Sequence, residues 1–272
     1  MSRAAWQLPR GVSRGTWNYV QTTSIASDYD RYFENHPLML LDMQIVQRHL
    51  PPIPLESRSG QHGDSRPLVA DFGCGTGRVA AQICPLGYRT LNVDLSQHML
   101  TVARSKFEPA VNSAAFVHGN LVQLQWLRSQ TLDMAVCLFS SVGMIRGCEH
   151  RRTFLRQVRH SLKPEAKFIL HVHNRYHSWL DPHGPWWLIS TWLRSCFDRN
   201  IEMGDRVYTY RGLPTMFLHI YSRTELLSDL KHAGFTNVEL FPINRTGDQI
   251  LKANLRFQEL RAGGYFAICE AS

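Results

Sequence analysis

Apolar residues along the middle of this chain come in short runs separated by amphipathic stretches. Leu68–Ala70, Arg89–Val93, Ala115–Val117, Met134–Phe139 and Phe168–Val172 read as buried strands. The first three end at Asp71, at Asp94 and at Gly119-Asn120. Between them Val79–Cys84, Gln97–Lys106 and His150–Leu162 read as helices. In the last, Phe154, Leu155, Val158 and Leu162 make a buried face, and Lys163-Pro164 stops the helix. Strand and helix alternate from Leu68 to Val172, which predicts a parallel, doubly wound α/β sheet covered on both faces.

The flanks read differently. Residues 1–16 form a loose arm. Asp28–Leu50 is helical and split by Pro37, and Pro51–Pro67 is a linker rich in Pro, Ser and Gly. Arg175–Pro214 breaks the strand–helix rhythm and reads as an insertion. Within and just after it, Val207–Tyr210 and Met216–Tyr221 pair as a hairpin around Arg211-Gly212-Leu213-Pro214. Ser222 is placed to cap a helix over Arg223–Ala233, with Glu225 completing a capping box and Gly234 ending the helix. Val238–Ile243 and Tyr265–Cys269 close the chain as strands. The expected organisation is an N-terminal arm, helix and linker over 1–67, then one α/β domain over 68–272 with an insertion at about 175–220.

Composition narrows the class. Of 272 residues 44% are hydrophobic and 19% charged, which supplies a core and excludes bulk disorder. The formal net charge of +8 favours anionic partners without identifying one. Cys74, Cys84, Cys137, Cys148, Cys196 and Cys269 form no CxxC pair, and several lie in apolar runs, as reduced, buried thiols do. The first fifteen residues carry arginines but no apolar signal core, and no apolar run reaches the length of a membrane span. A cytoplasmic protein with no membrane partner is the expectation.

The sharpest motif is Val69-Ala70-Asp71-Phe72-Gly73-Cys74-Gly75-Thr76-Gly77-Arg78, set between a strand and a helix. Glycines there let the backbone turn tightly and approach a ligand, and the helix N-terminus offers free N–H groups. Gly75 to Ala80 also satisfies the dinucleotide pattern G-x-G-x-x-A, so spacing alone leaves a nicotinamide nucleotide open. Asp71 separates the two: a carboxylate at the strand end repels a pyrophosphate and receives an ammonium.

Asp71 to Gly77 resembles motif I of the class I S-adenosylmethionine (SAM)-dependent methyltransferases. The resemblance continues in family order through Asn92 to Leu100, Gly119-Asn120-Leu121, Asp133 to Val136 and Leu162 to Phe168. It covers roughly Leu68 to Asn174. It implies a Rossmann-like, seven-stranded doubly wound sheet with the last strand antiparallel, an N-terminal helical arm and an insertion acting as acceptor lid. It implies SAM as cofactor and, for 68–272, a SAM-dependent methyltransferase domain. By the same resemblance Asp71, Gly73, Cys74, Gly75 and Gly77 hold the methionine end, and Asp94 takes the ribose hydroxyls. Leu95 and Met99 pack near the adenine, with Leu121 beside it. Asn120 stands where many relatives have Asp and offers its amide oxygen to the adenine amino group. Phe139 and Ser140 line the sulfonium and the way to the acceptor.

His173 and Asn174, at the carboxyl end of the fifth strand, are the candidate acceptor contacts, with His173 also a candidate base. His171, His173 and His177 lack neighbouring metal-type ligands other than Asp181, so no metal site is assigned. Trp179, Trp186, Trp187 and Trp192 fit either a satellite core or an aromatic wall over the acceptor. Trp17, Tyr19, Tyr29 and Tyr32 read first as packing of the N-terminal helix on the sheet, and second as a cover for the cofactor. Arg152, Arg156, Arg159 and Lys163 form a basic stripe, read as solvated surface, with phosphate contact as the alternative.

The expected function is methyl transfer from SAM to a small or medium-sized metabolite. Methylation of tRNA or another RNA is the second reading, a non-catalytic SAM-binding regulator the third, and a nicotinamide-dependent oxidoreductase the fourth. The acceptor atom and the oligomeric state stay open.

Overall fold

A computed structural model describes residues 7–54, 65–107, 113–252 and 257–272. Seven strands build one sheet. They are β1 (Leu68–Phe72), β2 (Arg89–Asp94), β3 (Ala114–His118), β4 (Leu132–Cys137), β5 (Leu162–His173), β8 (Phe235–Ile243) and β9 (Gly264–Ala271). Their order is β3-β2-β1-β4-β5-β9-β8. Only β9 runs against its neighbours: it pairs antiparallel with both β5 and β8, whereas the pairs among β1 to β5 are parallel. The doubly wound sheet expected from the sequence is therefore present, including its reversed last strand.

Alternation along the strands sorts side chains to two faces. Ala70, Phe72, Ala135, Cys137, Phe168 and Leu170 face one core. It is closed by Phe154, Leu155 and Val158 of α6 (Cys148–Ser161) and by Leu226 and Leu230 of α8 (Arg223–His232). Val69, Met134, Val136 and Ile169 face the other core. Val79 and Ile83 of α4 (Arg78–Ile83) meet them there, with Leu38, Leu41, Ile45 and Val46 of α3 (Pro37–Arg48). Helix α5 (Gln97–Ser105) begins at Ser96, whose Oγ accepts the Met99 N–H at 3.4 Å and donates to the Val20 carbonyl at 2.7 Å.

The N-terminal segment departs from the loose arm expected for 1–16. Residues 1–6 lie outside the described residues. From Gly11 on the chain is docked: the Gly11 carbonyl accepts the Arg146 N–H, and Val12 bridges Ile145. Helix α1 (Arg14–Gln21) is capped by the Ser13 hydroxyl and packs on β7 (Leu213–His219). A β-carbon at Gly15 would fall onto the Thr215 carbonyl, so only glycine permits that approach. Helix α2 (Thr23–Phe33) starts earlier than the predicted Asp28, and Pro37 divides it from α3 as the sequence indicated. Most of the predicted linker, 55–64, lies outside the described residues.

Two strand boundaries are corrected. β4 ends at Cys137 rather than Phe139, because Phe139 and Ser140 take left-handed φ values of 51° and 61° and feed a 3-10 turn, Ser141–Met144. β5 begins at Leu162, so Lys163 and Pro164 belong to a strand as well as ending α6. The insertion holds a 3-10 turn (Arg175–Leu180), then α7 (Gly184–Phe197), which the sequence reading did not separate. The predicted hairpin follows as β6 (Asp205–Tyr210) and β7, turning at Arg211-Gly212. Ser222 caps α8 through the Glu225 N–H at 3.2 Å. The capping box is only half formed, because the Glu225 carboxylate turns to Arg175, Arg151 and His219 instead. A final short helix, α9 (Gln258–Arg261), precedes β9.

Helix α3 is fastened to the glycine-rich turn by a buried ion pair. Arg78 donates to both oxygens of Asp42 at 2.6 and 2.7 Å and to the Met39 carbonyl at 2.9 Å. Asp42 is fully buried. Removing Asp42 leaves the Arg78 guanidinium, 25% exposed at a cavity, without its carboxylate partner. Asp42→Ala is therefore expected to lower unfolding free energy by about 1.5–3 kcal/mol in urea titrations, whereas Asp42→Leu combined with Arg78→Met recovers most of that loss.

Candidate functional site

The carboxyl ends of β1, β2, β4 and β5 open onto a cavity of about 670 Å³, within the roughly 300–1,000 Å³ usual for small-molecule sites. Its floor is the turn after β1. Gly73, Gly75 and Gly77 have φ of 81°, 54° and 77°, a run of left-handed residues that glycine adopts without strain. Gly73 and Cys74 donate to the Val93 carbonyl at 2.8 and 3.2 Å, which folds the turn over the end of β2. A β-carbon at Gly75 would meet nothing within 4 Å, so the backbone there borders open space and can be approached by a ligand. A β-carbon at Gly77 would meet Ala103, 3.1 Å away, and Gly77 does not line the cavity. Its role is to start α4 against α5.

Two carboxylates face this turn. Asp94 accepts the Gly75 N–H on one oxygen at 2.8 Å and the Ser96 N–H on the other at 2.7 Å. Each oxygen keeps a further lone pair for a hydroxyl donor. Asp71 is buried, lines the cavity, and has no side-chain hydrogen bond or ion pair among the described residues. Burial pushes its carboxyl up to about 7; Arg78 opposes this, and the neighbouring Asp94 and Asp42 add to it. The cavity therefore presents an acid that is unstable as an anion until a positive group arrives.

The roof is made by the N-terminal helices and the hairpin. Thr16, Tyr19 and Val20 of α1, Tyr29, Asp30, Tyr32 and Phe33 of α2, and Tyr208 and Tyr210 of β6 all line the cavity. Tyr19, Tyr29 and Tyr32 thus cover the cavity, which for them corrects the preference for plain packing on the sheet, whereas Trp17 does not line it; it is α3 that packs on the sheet. Ion pairs and hydrogen bonds hold the roof down. Asp30 pairs with Lys106 at 2.6 Å and accepts the Thr76 hydroxyl at 2.6 Å. Lys106 also donates to the Thr76 carbonyl at 2.7 Å. Arg211, at the hairpin turn, pairs with Asp28 at 2.9 Å and lies 4.4 Å from the Tyr32 ring centroid.

Of the residues singled out in the sequence, Asp71, Gly73, Cys74, Gly75, Asp94, Leu95, Met99, Asn120, Leu121, Phe139 and His173 all line the cavity. Asn120 spends part of its amide locally, accepting the Val122 N–H at 3.0 Å and donating to the Arg10 carbonyl at 2.9 Å. Three others do not line it. Gly77 is turned toward α5. Ser140 is buried in its left-handed turn, and its neighbour Ser141 lines the cavity instead. Asn174 donates to the Glu259 and Ala262 carbonyls at 2.5 and 2.8 Å and accepts the Tyr176 N–H at 3.2 Å, so it joins β5 to the segment before β9. The expectation of an acceptor contact at Asn174 is thereby corrected.

The far end of the cavity is mostly aromatic, with Glu34 beside Phe33 also lining it. His36, at the start of α3, meets Phe33 and Phe139 edge-on with ring centroids 5.6 and 5.5 Å apart. His36 and His173 both line the cavity, and His171 lies behind His173 with ring centroids 5.1 Å apart. Burial lowers the basicity of all three; His173 falls to about 4, helped by His36 and His177. His36, Tyr208 and Tyr210 were missed in the sequence. They belong to no motif, and they reach the cavity only because α2, α3 and the hairpin fold back over it.

The insertion's tryptophans do not line the cavity, so neither a cavity wall nor a satellite core describes them: Trp179, Trp186 and Trp192 face outward, and Trp187 lies under Arg206. The basic stripe on α6 is largely paired. Arg152 binds Asp229 at 2.8 Å, Lys163 binds Asp133 at 2.6 Å, and Arg152 and Arg156 reach Glu149.

Beneath the hairpin lies a buried ionic network. Arg151 pairs with Glu202 at 2.5 Å and Glu225 at 3.5 Å, and Arg175 pairs with Glu225. His219 places its ring nitrogens 2.8 Å from Asp205 and 2.8 Å from Glu225. Among the described residues, Glu202, His219 and Glu225 have ligand-type atoms within 4.8 Å of one another. Two guanidinium groups already neutralise those carboxylates, so the cluster reads as an ion-pair network rather than a metal site. A neutral imidazole has one N–H, so two ionised carboxylates cannot both be satisfied by it. Burial lowers His219 to about 4, so at neutral pH its ring is neutral and donates to one carboxylate, and Arg151 and Arg175 carry the positive charge of the network.

Comparison with known proteins matches residues 69–165 to the methyltransferase domain family. A curated protein of Geobacillus sp. (strain WCH70) that carries a methyltransferase name is 30% identical over 118 residues, 43% of this chain and 46% of that protein. A similarly named Bacillus subtilis protein is 23% identical over 108 residues, 40% and 43% of the two chains. The match thus spans less than half the length of these curated relatives. Among solved structures, a SAM-dependent methyltransferase from Methanosarcina mazei superposes with a TM-score of 0.58 at 19% identity, covering 81% of this chain and 98% of that one. One from Clostridium acetobutylicum gives 0.57 at 15%, covering 92% and 98%. Residues 69–165 thus match the methyltransferase domain family, and the sheet has the fold of the SAM-dependent methyltransferase structures, with SAM as the expected cofactor.

Proposed function

We propose that this protein transfers the methyl group of SAM to a small or medium-sized metabolite that is uncharged or carries an amine. The observation that supports this reading most directly is the charge lining the cavity. Arg78 is the one permanent cation among the described lining residues, and Asp42 and the Met39 carbonyl already hold it. Asp30, Glu34, Asp71 and Asp94 are the lining acids. A phosphorylated or carboxylated acceptor would enter a site without a cation to receive it. The net charge of +8 therefore does not describe the cavity.

The residues present suit the cofactor. Asp71 would receive the methionine ammonium, Gly73 and Gly75 would admit the tail against the backbone, and Asp94 would take the ribose hydroxyls. Leu95, Met99 and Leu121 offer an apolar slot for the adenine, with Asn120 at its edge. When bound, SAM supplies a methyl on a sulfonium, already activated toward displacement. The remaining work is to align the acceptor and exclude water. The roof of α1, α2 and the hairpin encloses the cavity, and Phe139, His36 and His173 would shape the acceptor end. A histidine pushed down to about 4 is a weak base at neutral pH, so His173 would act as a neutral hydrogen-bond partner that orients the acceptor.

Incubation of cell extract with the protein and methyl-labelled SAM tests the reading. Label is expected in a small-molecule fraction. Label in RNA would replace it with the RNA reading, and no turnover despite SAM binding would favour the regulator. NAD(H) binding in place of SAM would favour the oxidoreductase.

The elevated Asp71 carboxyl predicts a pH-dependent affinity. The folded protein holds a proton there that the unfolded chain has lost, so this group's stabilising effect declines between about pH 4 and pH 7. An arriving ammonium favours the ionised form. SAM affinity measured by calorimetry should rise from pH 5.5 to 7, by up to about tenfold per unit, and Asp71→Asn should abolish the slope while weakening binding at pH 7.

His173→Ala should leave SAM affinity unchanged and reduce acceptor turnover by about tenfold, the worth of one hydrogen bond. The wild-type rate should show no ionisation near 6.5 that this substitution removes. Such a limb in the pH profile would restore His173 as a general base.

A further inference from the structure

Helix α7 of the insertion turns its apolar side outward. Gly184, Leu188 and Thr191 are its buried residues. On the opposite side Trp186, Ile189, Leu193 and Phe197 recur at helical spacing, with Trp186 72% and Phe197 88% exposed. Trp192 widens the stripe at 52%, and Trp179, from the preceding turn that packs on α7, is exposed as well. Large aromatic residues gathered on one exposed face mark a site of association.

The rim of this face is basic. Arg194 and Arg199 are exposed on α7 and just beyond it. Arg146 reaches the Asn200 carbonyl, and Arg206 lies 5.3 Å from the Trp187 ring centroid. None of the four has a carboxylate partner among the described residues, in contrast to the paired stripe on α6. Asp198 is the acid between them.

From this pairing of tryptophan and phenylalanine with unneutralised arginine we infer that α7 docks on an anionic lipid bilayer surface. Tryptophan favours the boundary between hydrocarbon and headgroup, and arginines beside it add attraction to anionic lipid. The helix lies in the surface plane. Its 14 residues span about 21 Å, short of the roughly 30 Å hydrocarbon layer, and no helix among the described residues is long and apolar enough to cross a membrane. The expectation of no membrane partner rested on the lack of a span, which surface docking does not require. A second copy fits less well, because a two-fold interface would set one arginine rim against another. The face also adjoins the roof of the cavity: β6 carries Arg206 against Trp187 and, two and four residues on, the lining residues Tyr208 and Tyr210. The inference does not depend on the proposed methyl transfer.

Flotation of the full chain with phosphatidylcholine vesicles, with and without phosphatidylglycerol as a major component, tests it. Binding is expected to the anionic vesicles and to weaken as salt rises. A variant combining Trp186→Ser, Trp192→Ser and Phe197→Ser should lose at least about tenfold in partitioning. One combining Arg194→Glu and Arg199→Glu should lose at least about fivefold per site. Far-UV circular dichroism and melting, unchanged in both variants, would show that the fold is kept. No binding by the wild type, or equal binding by the aromatic variant, overturns the inference. So does a wild-type dimer in sedimentation equilibrium that the aromatic variant lacks, since the face would then be a self-interface.

Discussion

Asp71 sits at the carboxyl end of the central strand, shielded from water, and Arg78 nearby is held by Asp42. A carboxyl in that position resists ionisation, and a positive ligand group relieves it. The surroundings keep this condition in place. Gly73 and Gly75 bring bare backbone to the same point, Asp94 ties the turn to the end of β2, and Asp42 and the Met39 carbonyl of α3 hold Arg78. This arrangement of one uncompensated acid and one compensated base would favour a cationic amino acid tail over a diphosphate.

The roof is attached by an apolar cluster of Ile25, Ala26, Met99 and Tyr29 and by ion pairs. Asp30 with Lys106, and Arg211 with Asp28, connect α2 to the glycine turn and to the hairpin. The buried network of Arg151, Arg175, Glu202, Glu225 and His219 fixes the base of the hairpin to α6, α8 and the end of β5. Exposed pairs contribute little and buried ones cost much to break, so the hairpin's base is rigid and its tip is the easier part to move. A cavity that admits a cofactor and then an acceptor needs a roof of this kind.

Charge is distributed unequally over the molecule. The cavity is acidic, the α6 stripe is largely neutralised by Asp229, Asp133 and Glu149, and Arg146, Arg194, Arg199 and Arg206 near α7 have no carboxylate partner among the described residues. A chain-wide excess of basic residues therefore speaks about the outer surface and says little about the acceptor.

The sheet, its strand–helix alternation and the glycine turn with Asp71 and Asp94 were legible in the sequence because they are local. Strand runs, cap residues and left-handed glycines act within a few residues of where they stand. The limits appear where distance along the chain is long. Asn174 looked like an acceptor contact from its place after β5, yet carbonyls more than eighty residues away claim its amide. Ser140 fell out of the cavity because two successive left-handed residues end β4 early. His36, Tyr208, Tyr210 and the Asp42 clamp carried no signal at all. Their function is set by which helices and strands fold over the sheet, and that is decided by packing and charge pairing between segments that the sequence order keeps apart.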